Sequence, residues 1–202
     1  MKIDALLENL RKNRYEASYF ATADEARAYL NEKINGRTVG IGDSMTLYNM
    51  GVYDSLRTHN TVYDVQHTPG GTLDEFWEYS RKTQDTEIFL CSLNALSEDG
   101  ILVNMDGAGN RVAASLFGHE KVYYVVGINK VCPDLHSAIR RIRTVAAPQN
   151  ARRKKMKTPC AAAGKCVDCD SPARICNALV IEYKKMIHMK AEVVIIGEEL
   201  GL

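Results

Sequence analysis

Residues Asn94 to Ser115, NALSEDGILVNMDGAGNRVAAS, decide how the rest of the chain is read. A short apolar run enters a Glu98-Asp99-Gly100 turn, a strand follows over Ile101 to Val103, and a glycine-rich loop opens a helix. The loop runs Asn104-Met-Asp106-Gly107-Ala-Gly109-Asn110-Arg111 and sits where strand gives way to helix. There the first helical N–H groups lack intrahelical partners and the helix dipole is positive, which suits an anion. Gly107 and Gly109 lack a Cβ, so backbone can approach a ligand closely. On the functional reading Asn104, Asp106, Asn110 and Arg111 form a cradle for carboxylate or phosphate, with Arg111 as a bidentate fork. On the plain reading Asp106 and Asn110 cap the helix and Arg111 is a surface residue.

Outward from this stretch, helices and strands alternate. Ile3, Leu6, Leu7 and Leu10 share one face of a first helix, and Ala23-Asp24-Glu25 opens a second. Residues 1–35 are therefore read as an N-terminal helical segment. Thr38 to Ile41 is a buried strand ending at Gly42-Asp43-Ser44-Met-Thr46, where Asp43 or Ser44 caps the next helix. A strand at Thr61 to Val65 leads through Gln66 to Gly71, with His67 at its end, into a helix from Leu73 to about Arg81. Thr86 to Cys91 and Lys121 to Val126 are apolar strands, the second ending at Gly127-Ile-Asn129-Lys130. Asp134 to Val145 is a helix. Ala178 to Tyr183 and Glu192 to Ile196 are two more strands, expected to pair antiparallel through Lys184 to Lys190.

Strands separated by helices of this length predict an α/β fold over residues 1–202, a mainly parallel sheet with helices on both faces. In such sheets ligands collect beyond the carboxyl ends of the strands. The predicted contacts are therefore Gly42, Asp43, Ser44, Thr46, Asn94, the cradle from Asn104 to Arg111, Gly127 and Asn129. Lys130, just past an apolar strand, would hold a substrate carboxylate.

With 26 basic and 25 acidic residues and a net charge of +1, no bulk electrostatics call for nucleic acid or membrane. The first residues mix charges with apolar side chains at helical spacing, unlike a signal peptide or a membrane span. A cytoplasmic protein with reduced cysteines is the expectation. The basic run Arg152 to Lys155, with Lys157, reads as a solvated helix end.

Four of the six cysteines fall within residues 156–177, a cysteine-rich insertion with spacing C-x5-C-x2-C-x6-C. Cys166 and Cys169 can grip a metal from a tight turn while Cys160 and Cys176 complete four thiolates. Zinc and a [4Fe–4S] cluster both accept such a set, and four reduced thiols are the plain alternative. Cys91, in an apolar strand, reads as core.

The combination of GDSMTL at Gly42, SLNALSEDGILVN at Ser92, DGAGNRV at Asp106, VVGINK at Val125 and RTVAAPQN at Arg143 resembles the LUD domain. That family includes lactate utilisation protein C and stand-alone relatives. The resemblance implies a fold like that of ribose-5-phosphate isomerase, glucosamine-6-phosphate deaminase and the CoA transferases. It also implies company with iron–sulfur proteins that oxidise lactate to pyruvate.

Ser97-Glu98-Asp99-Gly100 is similar to the Ser-Glu-Asn-Gly stretch of CoA transferases, whose glutamate attacks the acyl-CoA, though Asp99 stands where they have Asn. A second carboxylate beside Glu98 makes it a poorer nucleophile unless Lys130 or Arg111 answers the charge. Equally, Asp-Gly is a strong hairpin-turn signal. Two functions follow. One is an enzyme or subunit binding a small anionic metabolite (hydroxy or keto acid, sugar phosphate or acyl-CoA), with Glu98 and Lys130 catalytic. The other is a non-catalytic metal-binding accessory or sensor protein docking to an iron–sulfur or flavin partner. A homo-oligomer is compatible with either.

Overall fold

Leu6, Leu7 and Leu10 lie on one buried face of α1 (Ile3–Lys12), and each contributes about 1.5–3 kcal/mol by leaving water. Past the end of the helix Arg14, with a φ of 71°, turns the chain back, and β1 (Glu16–Phe20) follows at once. This strand corrects the helical reading of residues 1–35: its exposed and half-buried residues carry little apolar signal. The chain is described from residue 2 to residue 202 in a computed structural model.

The order continues with α2 (Ala23–Lys33), β2 (Thr38–Ile41), α3 (Met45–Asn49), α4 (Val52–Arg57), β3 (Thr61–Asp64), α5 (Leu73–Gln84) and β4 (Ile88–Cys91). Next come β5 (Ala95–Ser97), β6 (Leu102–Asp106), α6 (Asn110–Leu116), β7 (Lys121–Gly127) and β8 (Val131–Cys132). The chain finishes with α7 (Leu135–Arg141), α8 (Ala147–Arg153), α9 (Pro159–Ala163), β9 (Ala178–Glu182) and β10 (Lys190–Ile196). Capping boxes start α2, at Thr22 and Glu25, and α5, at Thr72 and Glu75. Each satisfies two N–H groups that the helix itself leaves unpaired.

Six strands form one sheet in the order β1-β10-β7-β4-β2-β3, every neighbouring pair parallel. Alternation of side chains along the strands divides the core. Val122, Tyr124 and Val126 of β7 and Val193 and Ile195 of β10 pack with the α1 leucines on one face. Tyr123, Val125, Val194 and Ile196 pack on the other with residues of α2, α3 and α4. A second sheet, β8-β5-β6-β9, stands beside it.

The expected antiparallel pairing of the last two strands does not occur. β9 pairs antiparallel with β6, in register Leu102 to Glu182 through Asp106 to Ala178, while β10 lies between β1 and β7. Burial explains the separation. β10 is buried from Ala191 to Ile196 and suits a central parallel strand, whereas β9 is mostly half-exposed and suits an edge.

From β2 the chain crosses outward to β3, and from β4 it goes the other way to β7. The topological switch point therefore lies between β2 and β4, where a crevice opens beyond the strand ends. One further device feeds this crevice. α7 and α8 are joined by a π turn, Ile142–Ala146. Pro148, at the start of α8, has no N–H, and in a regular helix its ring would press on the carbonyl of Thr144. The wider π turn relieves this and sends Ala146, Asn150 and Arg153 toward the crevice. Among the described residues no helix is long and apolar enough to cross a membrane.

Candidate functional site

At the switch point two cavities adjoin. The inner, about 70 Å³, is lined by Asp43, Ser44, Ser92, Asn94, Arg111, Lys130, Asn150, Arg153 and Leu202 among others. The outer, about 410 Å³, adds Phe76, Trp77, Asp106, Gly107, Asn110, Lys154 and Arg174. Asp43, Met105, Arg111 and Asn150 belong to both.

Lys130 forms the floor. It ends a 3-10 turn, Ile128–Lys130, directly after β7, and is only 4% exposed. Its Nζ donates to Thr46 Oγ1 at 2.8 Å and Ser92 Oγ at 3.0 Å. The charges that act on it most are positive, Arg141 and Arg111. Burial, with these two guanidiniums, brings its pKa down to about 7. A buried amine facing a cavity, with hydroxyls around it and no carboxylate bonded to it, can gain a proton together with an anion.

Arg111 does not act as the predicted fork. One terminal nitrogen donates to the Ser92 carbonyl (3.1 Å) and Asn104 Oδ1 (2.5 Å), and the other to Asn94 Oδ1 (3.1 Å) and the Met105 carbonyl (2.8 Å). Its Nε lies 3.6 Å from Asp106 Oδ2. The residue ties β4, β6 and α6 together and lends the cavity a positive wall. Asn94 and Asn104 serve it: Asn94 N–H donates to Asn104 Oδ1 and Met105 N–H to Asn94 Oδ1. Arg111→Lys is expected to cost about 3 kcal/mol in urea unfolding, because one ammonium cannot answer four fixed acceptors. A change below 0.5 kcal/mol, roughly the level of a neutral surface substitution, would contradict this.

The helix start is not an open anion site either. The carboxylate of Asp106 itself accepts the N–H groups of Ala108 (3.2 Å) and Gly109 (3.0 Å). Gly109 has φ 86° and caps α6. Gly107 is needed for contact: a Cβ there would lie 2.9 Å from Ile175 Cα. Asn110 lines the outer cavity and donates to Ser80 Oγ.

Ser44 caps α3 by accepting from Leu47 N–H, and the Gly42 carbonyl accepts from Tyr53 Oη. Asp43 is held by Arg153 at 2.8 Å and Lys154 at 2.6 Å. Burial alone would raise its pKa, but Lys154 and Arg153 outweigh that and keep the carboxylate ionised. The basic run is thus more than a solvated helix end, since two of its members reach the cavity.

Seven of the predicted catalytic and ligand-binding residues, Gly42, Thr46, Glu98, Asn104, Gly109, Gly127 and Asn129, line neither cavity, and neither does His67. Glu98 lies in the β5–β6 turn, where its carbonyl accepts from Asn9 and its N–H donates to the Cys132 carbonyl; neither Lys130 nor Arg111 answers it. Gly127 and Asn129 anchor the chain end instead. Asn129 Oδ1 accepts from Leu200 N–H, and a Cβ at Gly127 would meet Leu200 N at 2.7 Å. His67 bonds to Asp64 and stacks on Tyr48.

The sequence reading missed Arg141, Asn150, Arg153 and the final residues. Arg141 donates to the carbonyls of Asn129, Asn94 and Leu202, closing the inner cavity from behind. The signal that could have found Arg153 and Asn150 is Pro148 within a helical pattern, a mark of irregularity.

Cys160, Cys166, Cys169 and Cys176 line a third cavity of about 210 Å³. All six cysteines are free, and Cys91 and Cys132 are buried. Among the described residues no group of three His, Cys, Asp or Glu side chains is placed to hold a single metal ion.

A family model described as LUD domain matches residues 3–196. The chain is also similar to a solved structure, a DUF162 family protein from Deinococcus radiodurans, with a TM-score of 0.58 and 11% sequence identity over 96% of each chain. That likeness carries the fold alone. No curated protein matches the sequence.

Proposed function

Since the chain belongs to the LUD domain family, we propose that it binds a small anionic metabolite at the switch point, with Lys130 receiving the negative charge. The observation that carries this reading is the buried Lys130 amine, bonded to two hydroxyls and flanked by guanidiniums rather than carboxylates. Anion binding would return its pKa toward the usual lysine range, and that recovered free energy adds to affinity.

The small inner cavity favours a compact carboxylate such as lactate or pyruvate. The outer cleft, with Trp77 and Phe76 on one wall and Lys154 and Arg174 on another, has room for a larger anionic tail. An amine with a pKa near 7 can take the hydroxyl proton of a hydroxy acid at neutral pH, while the two electrons and the second hydrogen, leaving as hydride, would pass to a separate flavin or iron–sulfur redox partner. A role beside lactate oxidation therefore fits Lys130 better than a Glu98 nucleophile does.

The test is a thermal-shift series with lactate, pyruvate, inorganic phosphate, a sugar phosphate and an acyl-CoA. A ligand at a hundred times its Kd adds about 2.7 kcal/mol, hence a rise of roughly 5–10 °C for a chain of this size. At least one small carboxylate should produce it. A flat response across the series would overturn the reading.

A further inference from the structure

The four cysteines of the insertion line neither cavity of the anion site, although Met105 and Arg174 border both the outer cavity and theirs. Between α8 and β9 the chain brings them round one cavity, whose remaining wall is largely apolar, with Ile142, Pro148 and Leu179. Thiols placed only as core would pack against neighbours and leave no such space.

The sulfurs are also supplied with donors. Asp168, held at φ 52°, turns its N–H onto Cys166 Sγ at 3.4 Å, and the Thr158 hydroxyl lies 3.3 Å from Cys160 Sγ. Arg143 and Arg174 line the same cavity, and Arg174 donates to the carbonyls of Cys169 and Cys176, each at 3.0 Å. Arg174, which borders both this cavity and the outer one, keeps a buried Nε without a hydrogen-bond partner.

We propose that Cys160, Cys166, Cys169 and Cys176 each bind one iron of a [4Fe–4S] cluster seated in this cavity. The four thiols lose their protons to solvent, and each thiolate takes one corner of the cube. Zinc is the weaker fit. A single ion needs all four sulfurs drawn to ~2.3 Å from one point, whereas here the thiols stand around about 210 Å³ of open space. A cluster fills that space and keeps the sulfurs apart. Because the thiolates carry more negative charge than the core carries positive, the assembly is anionic, and Arg143 and Arg174 offset it. Hydrogen bonds to the sulfurs are among the features that set such a cluster's potential.

The experiment is anaerobic reconstitution of the full chain with ferric iron, sulfide and a thiol reductant, which lowers two of every four irons to the ferrous state, followed by removal of excess. Wild type should retain iron and acid-labile sulfide in equal amounts, close to four of each per chain. It should also show broad visible absorption that dithionite bleaches. Cys166→Ser and Cys176→Ser should lose the absorption, while Cys132→Ser keeps it. Thermal unfolding of each variant establishes that the main sheet is intact, and the wild-type stoichiometry decides the matter even if a variant fails to fold. Stoichiometric zinc without sulfide, four titratable thiols with no iron, or an unchanged spectrum in both cluster variants would each overturn the proposal.

Discussion

Lys130→Met is expected to give a protein that is more stable than wild type at pH 6 and no longer responds to small anions. The side chain is almost fully buried, and methionine fills similar volume without a charge to desolvate. The hydroxyls it leaves are not orphaned: Thr46 Oγ1 and Ser92 Oγ lie 3.1 Å apart, and Thr46 also donates to the Leu200 carbonyl. The sign follows from the folded pKa of about 7 against the ordinary lysine value of 10.5. Between those values the unfolded chain binds more protons, so wild-type stability rises with pH across that window, and below pH 7 the full penalty is present. Methionine removes the penalty, giving about 1–3 kcal/mol at pH 6 and little by pH 10. Urea unfolding at pH 6, 8 and 10 measures this. A variant less stable than wild type at all three values would mean that Lys130 holds the fold together rather than waiting for a ligand.

Glu182→Gln should act in the opposite pH window. Glu182 is 3% exposed at the end of β9; it accepts from Tyr124 Oη at 2.9 Å and Tyr15 Oη at 3.4 Å. Burial raises its pKa to about 7, more than the two tyrosines and Arg111 lower it. Here the folded state binds the extra proton, so stability falls as pH rises from about 4.5 to 7 and the loss is complete above that. Glutamine keeps an acceptor for the tyrosines and never ionises. It is expected to match wild type near pH 4 and exceed it by about 2 kcal/mol at pH 8, or roughly 4–8 °C. Equal stability at pH 8 would mean that Glu182 remains ionised at little cost.

The parts of the fold that were legible in the sequence are those set by burial and local turn chemistry. β2 was read to the residue because Thr38 to Ile41 is a continuous apolar run closed by Gly42 and Asp43. β1 was not, since EASYF is an edge strand with two exposed residues and only pairing with β10 makes it a strand. The fate of β9 and β10 likewise depended on partners distant in the chain. In the candidate site, the placement of Asp43, Ser44, Asn94 and Lys130 round one crevice was legible because polar residues crowd strand ends in a parallel sheet. The contributions of Arg153 and Asn150 depend on a π turn, and those of Arg111 on where neighbouring acceptors happen to fall. Glu98 followed the Asp-Gly turn signal.

The most direct test of the account is calorimetric titration of the chain at pH 8 with its best small carboxylate, in buffers of different ionisation enthalpy. With a free pKa of about 7, Lys130 is mostly neutral at that pH and must be protonated to pair with the ligand. The account predicts uptake of close to ~1 proton per ligand bound, lost in Lys130→Met. Binding with no proton uptake, or binding undiminished in Lys130→Met, would contradict it.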